Sequence, residues 1–331
     1  MPQSKDFDSF YISNLLPSIE RLKKEKMIPK YWMLFGILCV PLIIAVVVDF
    51  AYMGSTLAET YIVLLVIGII ASVYFYSKYT DTFVDDYKAS IIKGVIQCLN
   101  PNFTYLPDKS VPRTDYITSS LYRYGYDEFY GDDYIEGVYK NVSFHCSEVQ
   151  TKADYITGRG NVLGGTSGPD RERWFQASDP VIFSGLFFTA EISKAAIGCT
   201  YIWEKGFAQI PTNDVDEHYG RLLPMPSVGS LSFDDAGLQE YFSVYSNYAP
   251  EAEHILTPER RDNLVKLRQL LNKKIRVSFV QGVCYVAVEF YGDLFEPFSA
   301  DIADKKEIDE YVRTINLIPT IIDYLKLDEL Q

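Results

Sequence analysis

The sequence predicts an α+β protein: a two-helix transmembrane hairpin, then a soluble domain with a mainly antiparallel sheet flanked by helices. Three observations carry this expectation. Two apolar runs, residues 31–48 and 61–76, each reach with their flanks the roughly 20 residues that cross a bilayer as helix. Several later segments alternate apolar and polar residues with turn residues between them, the mark of antiparallel strands. Capped helical periodicities are interleaved with those strands.

The hairpin comes first. Residues 31–53 and 61–79 form the two spans, joined by a tight external turn over 54–60, with 1–30 ahead of them and a single domain over 80–331 behind. Aromatic residues stand where interfacial belts belong: Tyr31 and Trp32, Tyr52, Tyr61, then Tyr74, Tyr76 and Tyr79. Asp49 and Glu59 sit at span ends beside the turn, where they reach water, so neither marks an ion path. Gly68 and Ser72 make a small-residue pair. It lets either Gly36 of the first span or a second copy of the chain approach closely, which leaves a homo-oligomer open. Ahead of the spans, Phe7, Phe10, Tyr11, Leu15, Ile19 and Leu22 recur at helical spacing broken by Pro17. That segment either lies on the membrane or packs against protein.

The domain elements follow in order. Asp81 is placed to cap a helix whose face is Val84, Tyr87, Ile91, Val95 and Leu99, ended by Asn100 and Pro101. Residues 134–150 read as two strands turning at Lys140 and Asn141. The carboxylates Asp127, Glu128, Asp132, Asp133 and Glu136 lack the spacing of a calcium loop, and are expected to form a solvated acidic surface. The glycine-rich stretch "ITGRGNVLGGTSGPDRERW" does not continue into a phosphate-binding Gly-Lys-Ser/Thr, so it is expected to be a loop. "PVIFSGLFFTAEI" is apolar on both alternating faces and reads as a central strand, with Gly185 marking a bulge or a close backbone approach. "GCTYIWE" is expected to be its hairpin partner. Thr257 caps a helix with Pro258 at its first position and Leu264, Leu267 and Leu271 on its buried stripe. Ile275, Val277 and Phe279 alternate with polar residues; after the Gln281-Gly282 turn, Cys284, Val286, Val288 and Phe290 return on the same face. A last amphipathic helix opens on the capping pair Asp304 and Glu307, and is expected to kink or break near Pro319.

Composition narrows the function. The chain of 331 residues carries a net charge of −13 and a pI near 4.8, which argues against neutralising nucleic-acid phosphates. Five scattered cysteines and three distant histidines form neither a disulfide framework nor a zinc site, and suit a reducing compartment. No secretory leader is expected, because the first apolar run starts late and is long. Metal, cofactor and catalytic residues are not assigned: no Walker, H-E-x-x-H, G-x-S-x-G or C-x-x-C pattern occurs. His145 and Cys146 are adjacent, but strand alternation sends their side chains to opposite faces.

At "YIEGVYKNVSFHCSEV", "FSGLFFTAEISK" and "FSVYSNYAPEAEHILTP" the chain resembles the bacterial domain of unknown function 3137 family. The resemblance implies a two-span membrane protein with one shared domain and no established activity. Glu136, Glu148, Tyr245 and Ser246, which stand in those motifs, are the candidate binding residues. Where members often carry Asp, this sequence has Asn247. The function expected is a non-enzymatic, multi-pass protein of the bacterial cytoplasmic membrane whose domain binds a protein partner or senses a ligand. The alternative is a membrane-tethered hydrolase using Glu136 and Glu148. Arg21, Lys23, Lys24, Lys26 and Lys30 precede the first span, the turn has no basic residue, and Lys78 follows the second. Positive charge stays inside, so both termini are expected in the cytoplasm.

Overall fold

A computed structural model describes residues 4–25, 27–53, 58–123, 125–126, 128–152, 181–192, 197–205, 215–216, 220–221, 223, 225–296 and 305–331. The glycine-rich stretch, residues 54–57 of the external turn, Asp127, Asp304 and the side chains of Asp49 and Glu59 lie outside the described residues, while residues 58–60, expected in the turn, begin a helix. The chain divides into two compact units, Met1–Asn100 with Phe295–Val312, and Pro101–Leu294 with Arg313–Gln331.

The first unit is helical. α1 (Ser4–Phe10), a π-helical turn (Tyr11–Leu15) and α2 (Leu16–Glu25) lead into α3 (Met27–Met53). α4 (Ala58–Tyr87) continues through a second π turn (Lys88–Ile92) into α5 (Lys93–Leu99). Pro17 does not break the first segment: the π turn just before it widens the helix where the proline ring would otherwise meet the preceding turn. Nor does Asp81 cap a helix. It lies within α4, which runs out of the apolar segment without a Pro or Gly to stop it. The stretches Phe7–Val48 and Thr60–Leu99 are long and apolar enough to cross a membrane, and only 6% of each apolar window is buried. Their outward side chains, such as Leu38, Ile44, Leu64 and Ile70, present a surface suited to lipid. The small residues are used inside the hairpin. A Cβ on Gly36 would meet Ser72 Oγ at 2.5 Å, Gly68 faces Phe35 and Cys39, and Ser72 donates to the Trp32 carbonyl. Leu15, Ile19 and Leu22 are buried, and a Cβ on Gly94 would lie 3.1 Å from Leu15, so the N-terminal apolar face packs on protein. Tyr87 donates to the Tyr311 hydroxyl (3.1 Å), which in turn lies 3.0 Å from both Glu307 and the Glu296 carbonyl.

The second unit holds the sheet. Its strands are β1 (Thr104–Leu106), β2 (Glu128–Tyr139), β3 (Val142–Lys152), β4 (Val181–Glu191) and β5 (Cys199–Glu204), with a short ribbon of β6 (Val215–Asp216) and β7 (Gly220–Arg221). β8 (Gly229–Leu231), β9 (Phe242–Ser246), β10 (Ile275–Val280) and β11 (Val283–Glu289) complete it. Among the described residues, nine strands form one antiparallel sheet in the order β1-β2-β3-β4-β11-β10-β5-β9-β8. Helix α6 (Arg113–Ser119) follows β1, α7 (Ala236–Tyr241) precedes β9, and α8 (Ala249–Ile255) and α9 (Pro258–Leu271) lead to β10. α10 (Lys305–Leu325) passes through Pro319 unbroken.

Lys140 and Asn141 (φ 48° and 65°), and Gln281 and Gly282 (φ 49° and 83°), make the two tight turns with the left-handed backbone such hairpins need. Thr257 accepts the Arg260 N–H and caps α9, and Asn272 ends that helix in the left-handed region. Val277 pairs with Val286, as the register requires. β5, however, is not the partner of β4. β4 lies between β3 and β11, and β5 between β10 and β9, because the β10–β11 hairpin inserts between them. Cross-strand partners share a face, so one row runs Ile135, Cys146, Phe188, Val286, Val277, Ile202, Val244.

The opposite face, expected to be polar at β10, is buried too. Tyr116, Tyr122, Phe129, Phe183, Phe187, Tyr201, Trp203 and Tyr285 form a core cluster on it. Arg276, 2% exposed, stands among them with its guanidinium 3.9 Å from the centre of the Tyr122 ring and Nη1 donating to the Leu121 carbonyl. Flat guanidinium stacking makes that burial tolerable.

Candidate functional site

Three carboxylates meet on the β2–β3 hairpin. Asp132 stands opposite Glu148, and the register shifts between Asp132 and Ile135. Asp133 is the extra residue, at φ 56°. Its N–H donates to the Pro107 carbonyl (2.8 Å), and its side chain accepts the Tyr105 hydroxyl. Ligand oxygens of Asp132, Asp133 and Glu148 all lie within 4.8 Å of one another. Of the acidic surface expected here, Asp133 is therefore interior, 1% exposed, and the neighbouring Glu148 is 7% exposed. Glu148 accepts the Leu294 N–H at 2.7 Å.

Three negative charges so close repel unless something positive sits among them. Burial, reinforced by Asp132, Asp133 and Asp293, pushes Glu148 up to about 8, against the Leu294 N–H that favours its charged form. A proton on Glu148 thus relieves the cluster at neutral pH. The same hard oxygen set has the chemistry of a magnesium, manganese or calcium ligand group.

The four candidate residues do not converge. Glu136 is the neighbour of Ile135 and pairs with His145, so it points to the face opposite Glu148; it lies 3.8 Å from Lys109. Tyr245 and Ser246 are on β9, at the other end of the sheet. The Ser246 hydroxyl is within 3.1 Å of both Thr200 Oγ1 and the Cys199 carbonyl, and accepts the Tyr248 N–H at 3.0 Å. Beside it Asn247 accepts the Cys199 N–H (2.7 Å), and Glu251 accepts the N–H groups of Ile197 and Gly198 (3.1 and 3.0 Å). This motif therefore holds the start of β5. Tyr245 packs 5.6 Å from Trp203 and lines a groove of about 240 Å³ with Lys205, Ser230, Phe233, Gln239 and Phe242.

His145 is half-buried, 2.8 Å from Asp115 and stacked on Tyr134. Cys146 lies on the other face, its thiol pushed up by burial, so the adjacent pair cannot act as base and nucleophile. Tyr105 and Leu294, which complete the carboxylate site, carry no local sequence signal. Gly131-Asp132-Asp133 does: turn-forming residues inside a strand pattern mark a bulge.

The class is thus an α+β domain with a nine-stranded antiparallel sheet, preceded by two long apolar helices. Residues 181–327 match the family described as "Protein of unknown function (DUF3137)", the family the motifs resemble. No curated protein matches the chain. Among solved structures it is similar to "crystal structure of the mycobacterial trehalose monomycolate transport factor A, TtfA", at 10% identity and a TM-score of 0.33, covering 72% of this chain and 93% of that one. A likeness at that score bears on neither mechanism nor substrate.

Proposed function

We propose that this is a non-enzymatic, multi-pass protein of the bacterial cytoplasmic membrane, both termini inside, whose α+β domain binds a segment of a protein partner. The observation that carries this reading is the groove beside β8. β8 pairs only with β9 among the described strands, leaving an edge whose backbone can take up an extended segment. The groove next to it offers the part-exposed Leu231 and Phe233 for apolar side chains, and Lys205, Ser230 and Ser243 for polar ones. Its volume is below the usual range for an enclosed small-molecule site. The hydrolase alternative needs Glu136 and Glu148 in one pocket, and they point to opposite sheet faces.

A photo-crosslinking residue at Ser232 of the full chain, in its native membrane, tests the proposal. One defined adduct is expected, abolished by Phe233→Asp and absent when the probe stands at Glu253 on α8. Equal labelling from both positions, or an adduct indifferent to Phe233→Asp, rejects it. A C-terminal alkaline phosphatase fusion checks the orientation and should be inactive.

A further inference from the structure

The first unit carries a collar of lysines whose level in the hairpin is fixed by aromatic packing. Trp32 of α3 stacks on Phe75 of α4 at 4.5 Å, and Ser72 donates to the Trp32 carbonyl. Lys30 stands two residues before Trp32 and Lys78 three after Phe75. The two helices are antiparallel, so at 1.5 Å of rise per residue both lysines lie just beyond the same aromatic level. Tyr31, Tyr74, Tyr76 and Tyr79 are exposed around it, 62%, 60%, 41% and 37%, as a bilayer interface would have them. One to two turns further along α2 come Lys23 and Lys24, also exposed.

The apolar face of α2 is already buried on protein, so its exposed face is the basic one. Acidic residues are present at this level too: Glu20, Glu25, Asp81, Asp85 and Asp86. Arg21 lies 3.8 Å from Glu25, and Ser77 donates to Asp81 at 3.4 Å. Among the described residues no carboxylate pairs with Lys23, Lys24, Lys30 or Lys78.

We infer that Lys23, Lys24, Lys30 and Lys78 form a binding surface for anionic phospholipid headgroups, in addition to the partner-binding groove. Lys30 and Lys78 extend their long stems along the apolar helices and place their ammonium groups at headgroup phosphates. Lys23 and Lys24 stand close enough to the surface to favour lipids with net negative charge. The inference rests on the reading of α3 and α4 as membrane spans.

The test uses the full chain, extracted in a neutral detergent and exchanged into micelles with equal amounts of phosphatidylglycerol and phosphatidylcholine. Lipid retained on the purified protein is then quantified by mass spectrometry. Phosphatidylglycerol is expected in roughly fivefold excess or more at low salt, the attraction of even one surface lysine. That excess should vanish in the K23Q/K24Q/K30Q/K78Q variant and persist in K93Q, a control on α5 whose folding is checked in parallel. No excess in the parent chain, or an unchanged excess in the fourfold variant, overturns the inference. Displacement of the lipid by millimolar glycerol phosphate would assign the lysines to a free phosphate and overturn it as well. A chain that stays soluble without detergent would fail the span reading itself, a result separable from a lost lipid preference.

Discussion

Replacing Glu148 by Gln should remove a pH dependence of stability that the parent chain possesses. Glu148 is raised from 4.5 to about 8 in the folded state, chiefly by burial. Between those values the unfolded chain has released the proton and the folded chain still holds it. Stability therefore falls as pH rises through this window, by about 1.4 kcal/mol per unit. Across the full interval this amounts to at most about 5 kcal/mol, and the transition belongs to Asp132, Asp133 and Glu148 together. In Glu148→Gln the amide oxygen still accepts the Leu294 N–H, and the amide N–H groups replace the carboxyl proton as donor to the neighbouring carboxylates. The variant should match the parent near pH 5 and exceed it by several kcal/mol at pH 9. Urea unfolding of the detergent-solubilised full chain, followed by intrinsic fluorescence at intervals from pH 5 to 9, gives the difference curve, in which groups common to both proteins cancel. A difference that is flat with pH, or one that grows toward acid, would refute the assignment of the shared proton.

Three further outcomes follow from packing. Gly185 sits at φ 151° with a would-be Cβ only 2.1 Å from the Val288 carbonyl, so Gly185→Ala should cost about 3 kcal/mol or more in thermal unfolding. Phe279, 2% exposed, should cost about 3–5 kcal/mol on truncation to Ala by denaturant titration, and a loss below about 1 kcal/mol would place it at the surface. Asn247→Asp keeps an oxygen for the Cys199 N–H and should stay within about 0.5 kcal/mol of the parent, whereas Asn247→Ala should lose about 1 kcal/mol in the same assay.

The last of these shows why an acid is not needed at position 247: the role is to accept a hydrogen bond, and either side chain does that. Elements set by neighbouring residues could be read from the sequence. The Thr257-Pro258 start of α9, the turns at Lys140-Asn141 and Gln281-Gly282, and the close approach at Gly185 all depend on the chain within a few residues or on the lack of a Cβ. Pairings set by distant chain could not. β5 follows β4 in sequence, yet a hairpin formed some seventy residues later separates them. Arg276 and Ser278 alternate with apolar residues as a solvated face does, but Leu121 and Ser119 accept from them (2.9 and 2.8 Å) and Tyr122 covers the guanidinium. At the carboxylate site the Gly131-Asp132-Asp133 run marks the bulge in which Asp133 is left-handed, but the N–H from Leu294 comes from distant chain that neither alternation nor spacing encodes.

The strand order also bears on where the chain can be cut. The family-matched stretch begins at residue 181, the first residue of β4, while the β4 edge opposite β11 is covered by β3, which lies outside that stretch. A fragment starting at 181 would leave the backbone of an eleven-residue strand open along one side, with Phe183, Leu186, Phe187 and Phe188 on it, nearly free of charge. Such an edge is a template for pairing with another copy. The meander of β1, β2 and β3 works as a guard strip for the sheet, ending in the short β1, which offers only three residues to a stray chain. Expression of the sheet unit without it should give aggregates rather than a smaller domain, and the homology boundary is not a folding boundary.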